Sequence, residues 1–152
     1  MLDGIAIDWW QILVNLGQVT VAYLLALPLA WDREQASVSV GLRTFPLVAV
    51  ASCGFVLTGA QIAHGDAQSL ARIIQGLMTG IGFIGGGAIL KKNGTVEGAA
   101  TAASIWSTGA IGAAVALGRY EIAIVLSVVN FLTFRLMTPL KKALHDKSDG
   151  GT

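Results

Sequence analysis

Charge is scarce in this chain. Asp, Glu, Lys and Arg make up 12% of its 152 residues, about half of what an ordinary soluble domain carries. That excludes a domain kept in solution by a charged surface, and with a net charge of +1 no nucleic-acid partner is expected. The single cysteine, Cys53, excludes an internal disulfide, leaves the redox compartment open and reads as core packing. His64 and His145 are the only histidines and have no second ligand at metal-binding spacing, so no cofactor is expected. The opening MLDGIAIDWW carries Asp3 and Asp8 but no basic residue, so it lacks the positive region of a cleaved signal peptide. The first apolar run is therefore expected to remain as a helix.

What the chain has is apolarity. Hydrophobic residues reach 54% and the mean hydropathy is +0.68. Apolar runs cover about Trp9 to Trp31, Phe45 to Ala63, Leu70 to Leu90, Gly98 to Leu117 and Glu121 to Thr138. Each approaches the roughly 20 residues that cross a hydrocarbon core. The expectation is an all-α, polytopic transmembrane bundle of about five spans in the lipid bilayer: one membrane domain over 1–140 and a short polar cytoplasmic tail over 141–152. Trp9 and Trp31 stand about 33 Å apart at helical rise, which suits aromatic belts on both surfaces.

The basic residues orient the bundle. Five spans place Arg33, Arg43, Lys91, Lys92, Arg135, Lys141, Lys142 and Lys147 on one side and only Arg72 and Arg119 on the other. The positive-inside rule then puts the N-terminus outside and the C-terminus in the cytoplasm.

The third run, ARIIQGLMTGIGFIGGGAIL from Ala71, holds six of the 19 glycines and no charge after Arg72. A glycine inside a helix costs about 1 kcal/mol relative to alanine, and close helix packing in a bilayer gives a reason for such density. Gly76 with Gly80, and Gly82 with Gly86, form small-xxx-small pairs. They are expected to seat this helix on the fourth, GAATAASIWSTGAIGAAVAL, with Ser104 or Thr108 hydrogen-bonding across. Trp106 then fills space in this subunit or in a second copy. A broken helix at Gly85 to Gly87, lining a site, is the alternative. Gly80, Gly82 and Gly85 also satisfy G-x-G-x-x-G, but no strand precedes them and no acidic residue follows at about 20 positions, so a dinucleotide turn is excluded.

Polar side chains inside the runs are few and no carboxylate sits at mid-membrane. Gln11, Asn15 and Gln18, and Ser127 with Asn130, follow helical spacing and suit hydrogen bonds between helices. The charged residues gather at one rim: Asp32, Arg33 and Glu34 after the first run, Arg43 with Thr44 before the second, and Glu97 before the fourth. Such a rim suits solvation, an anionic headgroup, a partner, or a hydrated divalent cation on carboxylate oxygens. Arg43 is expected to pair with Asp32 or Glu34. Arg72, on the opposite face, is expected to meet Glu121 or a lipid phosphate.

Three blocks carry a family resemblance: GLRTFPLV at 41–48, the glycine-rich string at 71–90, and VEGAATAASIWSTGAIGAAVALGRY at 96–120. In that order they resemble the membrane domain of the MgtC/SapB family, over roughly residues 9 to 138. The resemblance implies a bacterial inner-membrane protein linked to adaptation to low magnesium and to survival inside host cells. It also matches Asp32 and Arg33 to the acidic and basic pair that closes the first span, with aspartate in place of the usual glutamate. Arg43 and Thr44 match a G-x-R-T motif, Arg72 the arginine before the glycine-rich helix, and Thr101 and Trp106 the pattern of the next span. Many members continue into a cytosolic domain resembling an ACT fold; this sequence ends soon after the fifth run.

Two classes of function fit. One is a non-enzymatic regulatory or interaction protein, acting through contacts with lipid, a membrane-protein partner or a second copy as a homodimer, and linked to magnesium homeostasis. The other is a transporter or channel for magnesium or another small ion, with the acidic rim as its entry. An enzyme is not expected, because no nucleophile with a base and no paired intramembrane carboxylates occur.

Overall fold

The computed structural model describes residues 7–35, 41–92 and 95–149; Asp3 and the last residues of the tail lie outside them. The described chain forms α1 (Trp9–Gln35), α2 (Thr44–Ala63), α3 (Ala67–Gly87), β1 (Leu90–Lys92), β2 (Thr95–Glu97), α4 (Ala99–Ala116) and α5 (Tyr120–Asp149). It is an all-α bundle with one small antiparallel hairpin between α3 and α4.

Local chemistry sets the helix ends. The Asp8 carboxylate accepts from the backbone N–H of Trp10 at 3.0 Å and of Gln11 at 3.1 Å, satisfying donors that an α-helix leaves free at its start. Pro46 lies in the first turn of α2, where a missing N–H costs no helical bond. His64 closes α2 in the left-handed region at φ 47°, and Gly65 follows at φ 86°. Asp66 then opens α3 by accepting from Ser69 N at 2.8 Å. Its hydrogen bonds with Ser69, side chain and backbone, hold its carboxyl below the usual carboxylate range, so the cap stays charged. Gly98, at φ 87°, starts α4 where any Cβ would run into the Ala88 carbonyl.

α4 is the central helix. It packs against α1, α2, α3 and α5 and is buried from Ile111 through Val115. Small residues bring the other helices close. Gly112 admits the Ala49 backbone of α2, and Gly109 receives the Ile81 side chain of α3. One core cluster joins Ala22, Ala26, Ala49, Cys53, Ile111 and Val115, with Cys53 in the packing role expected of it. A second joins Leu29, Ala30, Phe45, Val48, Ile81 and Ile105.

The outside of the bundle is apolar. Leu13, Leu24, Leu47, Phe55, Phe83, Val125 and Leu132 are all exposed, more contiguous apolar surface than water tolerates. Four described helices are long and apolar enough to cross a membrane: α1, α2, α4 and the Tyr120–Pro139 part of α5. α3 falls short on composition, diluted by Gln68, Ser69, Arg72, Gln75 and its glycines. It nevertheless runs antiparallel to both α2 and α4 within the bundle: Gly59 faces Ile73 at one end, and Gly85 faces Ala102 at the other. Trp9 and Trp31 are exposed at opposite ends of α1, as an aromatic belt requires.

The packing of α3 on α4 is present, but the glycine pairs expected to make it are not its seam. A Cβ on Gly76, Gly80, Gly82 or Gly86 would meet nothing within 4 Å. The contact is made by Ile81 and by Gly85, where a Cβ would lie 3.1 Å from the Ala102 carbonyl oxygen. α3 is continuous through Gly87, so Gly85 to Gly87 mark no break. Ser104 and Thr108 also differ from expectation: Ser104 Oγ donates to the Ala100 and Thr101 carbonyls, and Thr108 Oγ1 to the Ser104 carbonyl, all within α4. Hydroxyls saturated by their own helix have no donor left for a neighbour. The cross-helix bonds come from elsewhere. Ser127 Oγ donates to the Leu25 carbonyl at 2.6 Å, Asn130 Nδ2 to Ser107 Oγ at 2.6 Å, and Gln18 Nε2 to the Val115 carbonyl at 3.4 Å. Trp106 is half exposed on α4, so within this chain it fills no interior space.

Candidate functional site at the α1 and α5 rim

The alternating direction of the helices brings the end of α1, the start of α2, the β1–β2 hairpin, the start of α4 and the distal part of α5 to one end of the bundle. Arg33 is the centre of that end. It stands in the last turn of α1, where a cation complements the free carbonyls of the helix. Its side chain is only 9% exposed. Arg33 Nη2 donates to Asp32 Oδ2 at 2.6 Å and Nε to the same oxygen at 3.3 Å. The guanidinium carbon lies 3.7 Å from the centroid of the Phe134 ring on α5. A planar cation thus has a carboxylate on its edge and a π face beneath it, an arrangement lysine cannot reproduce.

Beside this trio opens a cavity of about 540 Å³, walled by Asp32, Arg33, Gln35, Phe134, Arg135, Thr138 and Pro139. α5 supplies four of these seven residues and α1 the other three. Its backbone stays helical through Pro139, which lacks the N–H that would bond the Arg135 carbonyl.

The remaining rim residues do not converge on one point. Glu34 Oε2 accepts from Leu42 N at 3.0 Å and so ties the end of α1 to the approach to α2. Arg43 is exposed and makes no ion pair among the described residues, so its expected pairing with Asp32 or Glu34 is not formed. Asp32 has Arg33 instead, and Glu34 has a backbone N–H. Thr44 opens α2 half-buried, and Glu97 is exposed on β2. Thr101 is buried in α4. Among the described residues no group of three or more His, Cys, Asp or Glu side chains could hold a metal ion. The carboxylate set imagined for a hydrated cation is therefore not assembled.

At the opposite end Arg72 is exposed. Its expected partner Glu121 pairs with Arg119 at 2.8 Å, with both side chains 63% exposed. Proximity in sequence decided that contest, and exposure makes the pair worth little. Phe134 and Arg135 were missed from sequence. Arg135 counted only as a loop charge, although an aromatic and a basic residue in succession near the end of an apolar run was the available signal.

The MgtC family matches residues 19–143, a stretch that contains the whole Asp32, Arg33 and Phe134 trio and the cavity. This chain belongs to the MgtC family. As an MgtC family protein it is similar to "Protein SrpB" of Synechococcus elongatus, 34% identical over 139 residues, 83% of this chain and 74% of that protein. It is 38% identical over 121 residues to "Putative magnesium transporter YhiD" of Escherichia coli strain K12, 70% of this chain and 56% of that protein. It is 34% identical over 124 residues to "Protein MgtC" of Brucella abortus strain 2308, 82% of this chain and 51% of that protein. The chain thus spans from about half to about three quarters of these relatives. No solved structure matches it. Family membership and the apolar helices together make it a membrane protein.

Proposed function

We propose that this MgtC family protein is a non-enzymatic regulatory or interaction protein of the bacterial inner membrane, linked to magnesium homeostasis, with its N-terminus outside and the Arg33 rim in the cytoplasm. The observation that carries the reading is the state of the rim carboxylates. Asp32 is neutralised by Arg33 and Glu34 is engaged by the Leu42 N–H, so neither offers a free oxygen pair to a cation. Magnesium gives up its water reluctantly and is usually held by one or two carboxylates with several waters retained. A path between α3 and α4 has Ile81 seated against Gly109 and Gly85 against Ala102 along its course. The bias of basic residues toward the rim end supports the orientation. The link to magnesium rests on the family and on the Escherichia coli relative, whose name describes magnesium transport and keeps the transporter reading as the rival.

Purified protein in liposomes is expected to give magnesium flux at background, while Asp32→Asn or Arg43→Gln, at wild-type membrane abundance, abolishes a low-magnesium growth phenotype. Reproducible magnesium uptake by the wild-type protein, lost when Asp32 or Glu97 is neutralised, would establish the transporter and end the regulatory reading.

A further inference from the structure

The cavity beside Arg33 has a charge imbalance. Asp32 and Arg33 cancel, but Arg135, also on the cavity wall, makes no ion pair among the described residues. Arg33 has donors to spare as well. Its Nε and Nη2 both go to one oxygen of Asp32, and among the described residues Nη1 makes no hydrogen bond, although a guanidinium carries five N–H groups. The Thr138 hydroxyl adds a third donor group to the wall. The Gln35 amide lines the hollow as well, and two cations, an amide and a hydroxyl against one already paired carboxylate form a receptor for a phosphoryl oxygen.

Depth narrows the source of that phosphoryl group. Trp31, exposed one position before Asp32, marks the height at which tryptophan sits between hydrocarbon and water. Leu136 and Met137, exposed beside Arg135, and Leu24 and Leu132 farther along the same two helices give apolar surface leading away from the cavity. A headgroup seated in the hollow would leave its acyl chains along α1 and α5. Pro139 also leaves the Arg135 carbonyl without its i+4 helical donor. That carbonyl suits a headgroup that brings a hydroxyl donor along with its phosphate. A volume of about 540 Å³ accommodates a group of that size.

We propose that the cavity between α1 and α5 is a binding site for the phosphoryl headgroup of an anionic, hydroxyl-bearing phospholipid such as phosphatidylglycerol, with Arg135 as its main cation and Arg33 and Thr138 as further donors. The site does not depend on whether the protein regulates or transports.

The test uses the full chain in mixed micelles containing phosphatidylglycerol or phosphatidylcholine, or in phosphatidylcholine with inorganic phosphate added. Wild-type protein is expected to melt higher with phosphatidylglycerol than with phosphatidylcholine. Arg135→Gln loses most of that increment, and Arg119→Gln, at the other end of the bundle, keeps it. Native mass spectrometry gives a readout that does not pass through stability: Arg135→Gln should retain several-fold less phosphatidylglycerol than wild type. Equal protection by the two lipids, or an undiminished increment and retention in Arg135→Gln, overturns the site. Protection by inorganic phosphate equal to that by phosphatidylglycerol overturns the lipid as its source.

Discussion

Replacing Gly112 by alanine sets two effects against each other in the middle of α4. Alanine is better than glycine in a helix by about 1 kcal/mol. The new methyl group, however, would collide with the Ala49 carbonyl of α2 and reach 3.0 Å from Ser52 Cβ. Inserting a methyl into filled space costs about 1 to 3 kcal/mol, and a backbone obstacle cannot rotate aside as a side chain can. The upper part of that range applies, so Gly112→Ala is expected to destabilise by about 2 kcal/mol net, roughly a thirtyfold change in the folding equilibrium. Gly80→Ala carries only the favourable effect, because its Cβ would meet nothing within 4 Å. It should stabilise by about 0.5 to 1 kcal/mol. Gly109→Ala falls between them, since its obstacle is the mobile end of the Ile81 side chain.

The measurement is reversible unfolding of the purified variants in mixed micelles, followed by the loss of helical circular dichroism. Opposite signs for Gly112→Ala and Gly80→Ala support the helix faces described above. Equal destabilisation by both would refute them, because it would mean that Gly80 is packed inside the bundle as Gly112 is.

The glycines show where the sequence was legible and where it was not. Their density announced close packing, and α3 does lie on α4. Which glycines make the contact depends on the rotation of α3 about its axis, and that is set by one large residue. Ile81 is the side chain buried against α4. Gly85, four positions on, shares its face, and Gly76, Gly80, Gly82 and Gly86 turn elsewhere. Bundle membership, the aromatic ends of α1 and the scarcity of mid-membrane charge were readable because they follow from composition and periodicity. The β1–β2 hairpin was not anticipated: Leu90-Lys91-Lys92 has no β-prone pattern, and Asn93-Gly94 was the turn signal that could have found it. α5 outran its apolar run because helicity needs only backbone hydrogen bonds, and these continue past Thr138 to Asp149. The rim was harder. Side chains at i and i+1 on a helix do not usually face each other, so spacing gave no reason to pair Asp32 with Arg33, and nothing local placed Phe134 beneath them.

Two further outcomes test orientation and the rim. A C-terminal fluorescent-protein fusion should be bright and a C-terminal alkaline phosphatase fusion inactive; the reverse would invert the bundle. Asp32, Arg33 and Phe134 are best separated by single and double replacements in the same unfolding assay. Arg33→Gln removes the ion pair and the stacking together and leaves a mostly buried carboxylate without its cation, at a cost of about 3 kcal/mol. Asp32→Asn removes the pair but leaves Arg33 over Phe134, and so should cost less by about 1 kcal/mol, the worth of the cation–π contact. Phe134→Leu should lose about that contact alone. The double replacement of Asp32 and Arg33 should then be no worse than Arg33→Gln, because the carboxylate that single variant strands is gone. Additive losses from the two single replacements would show that Arg33 and Asp32 act separately, and the rim would have to be rebuilt around a different partner for the arginine.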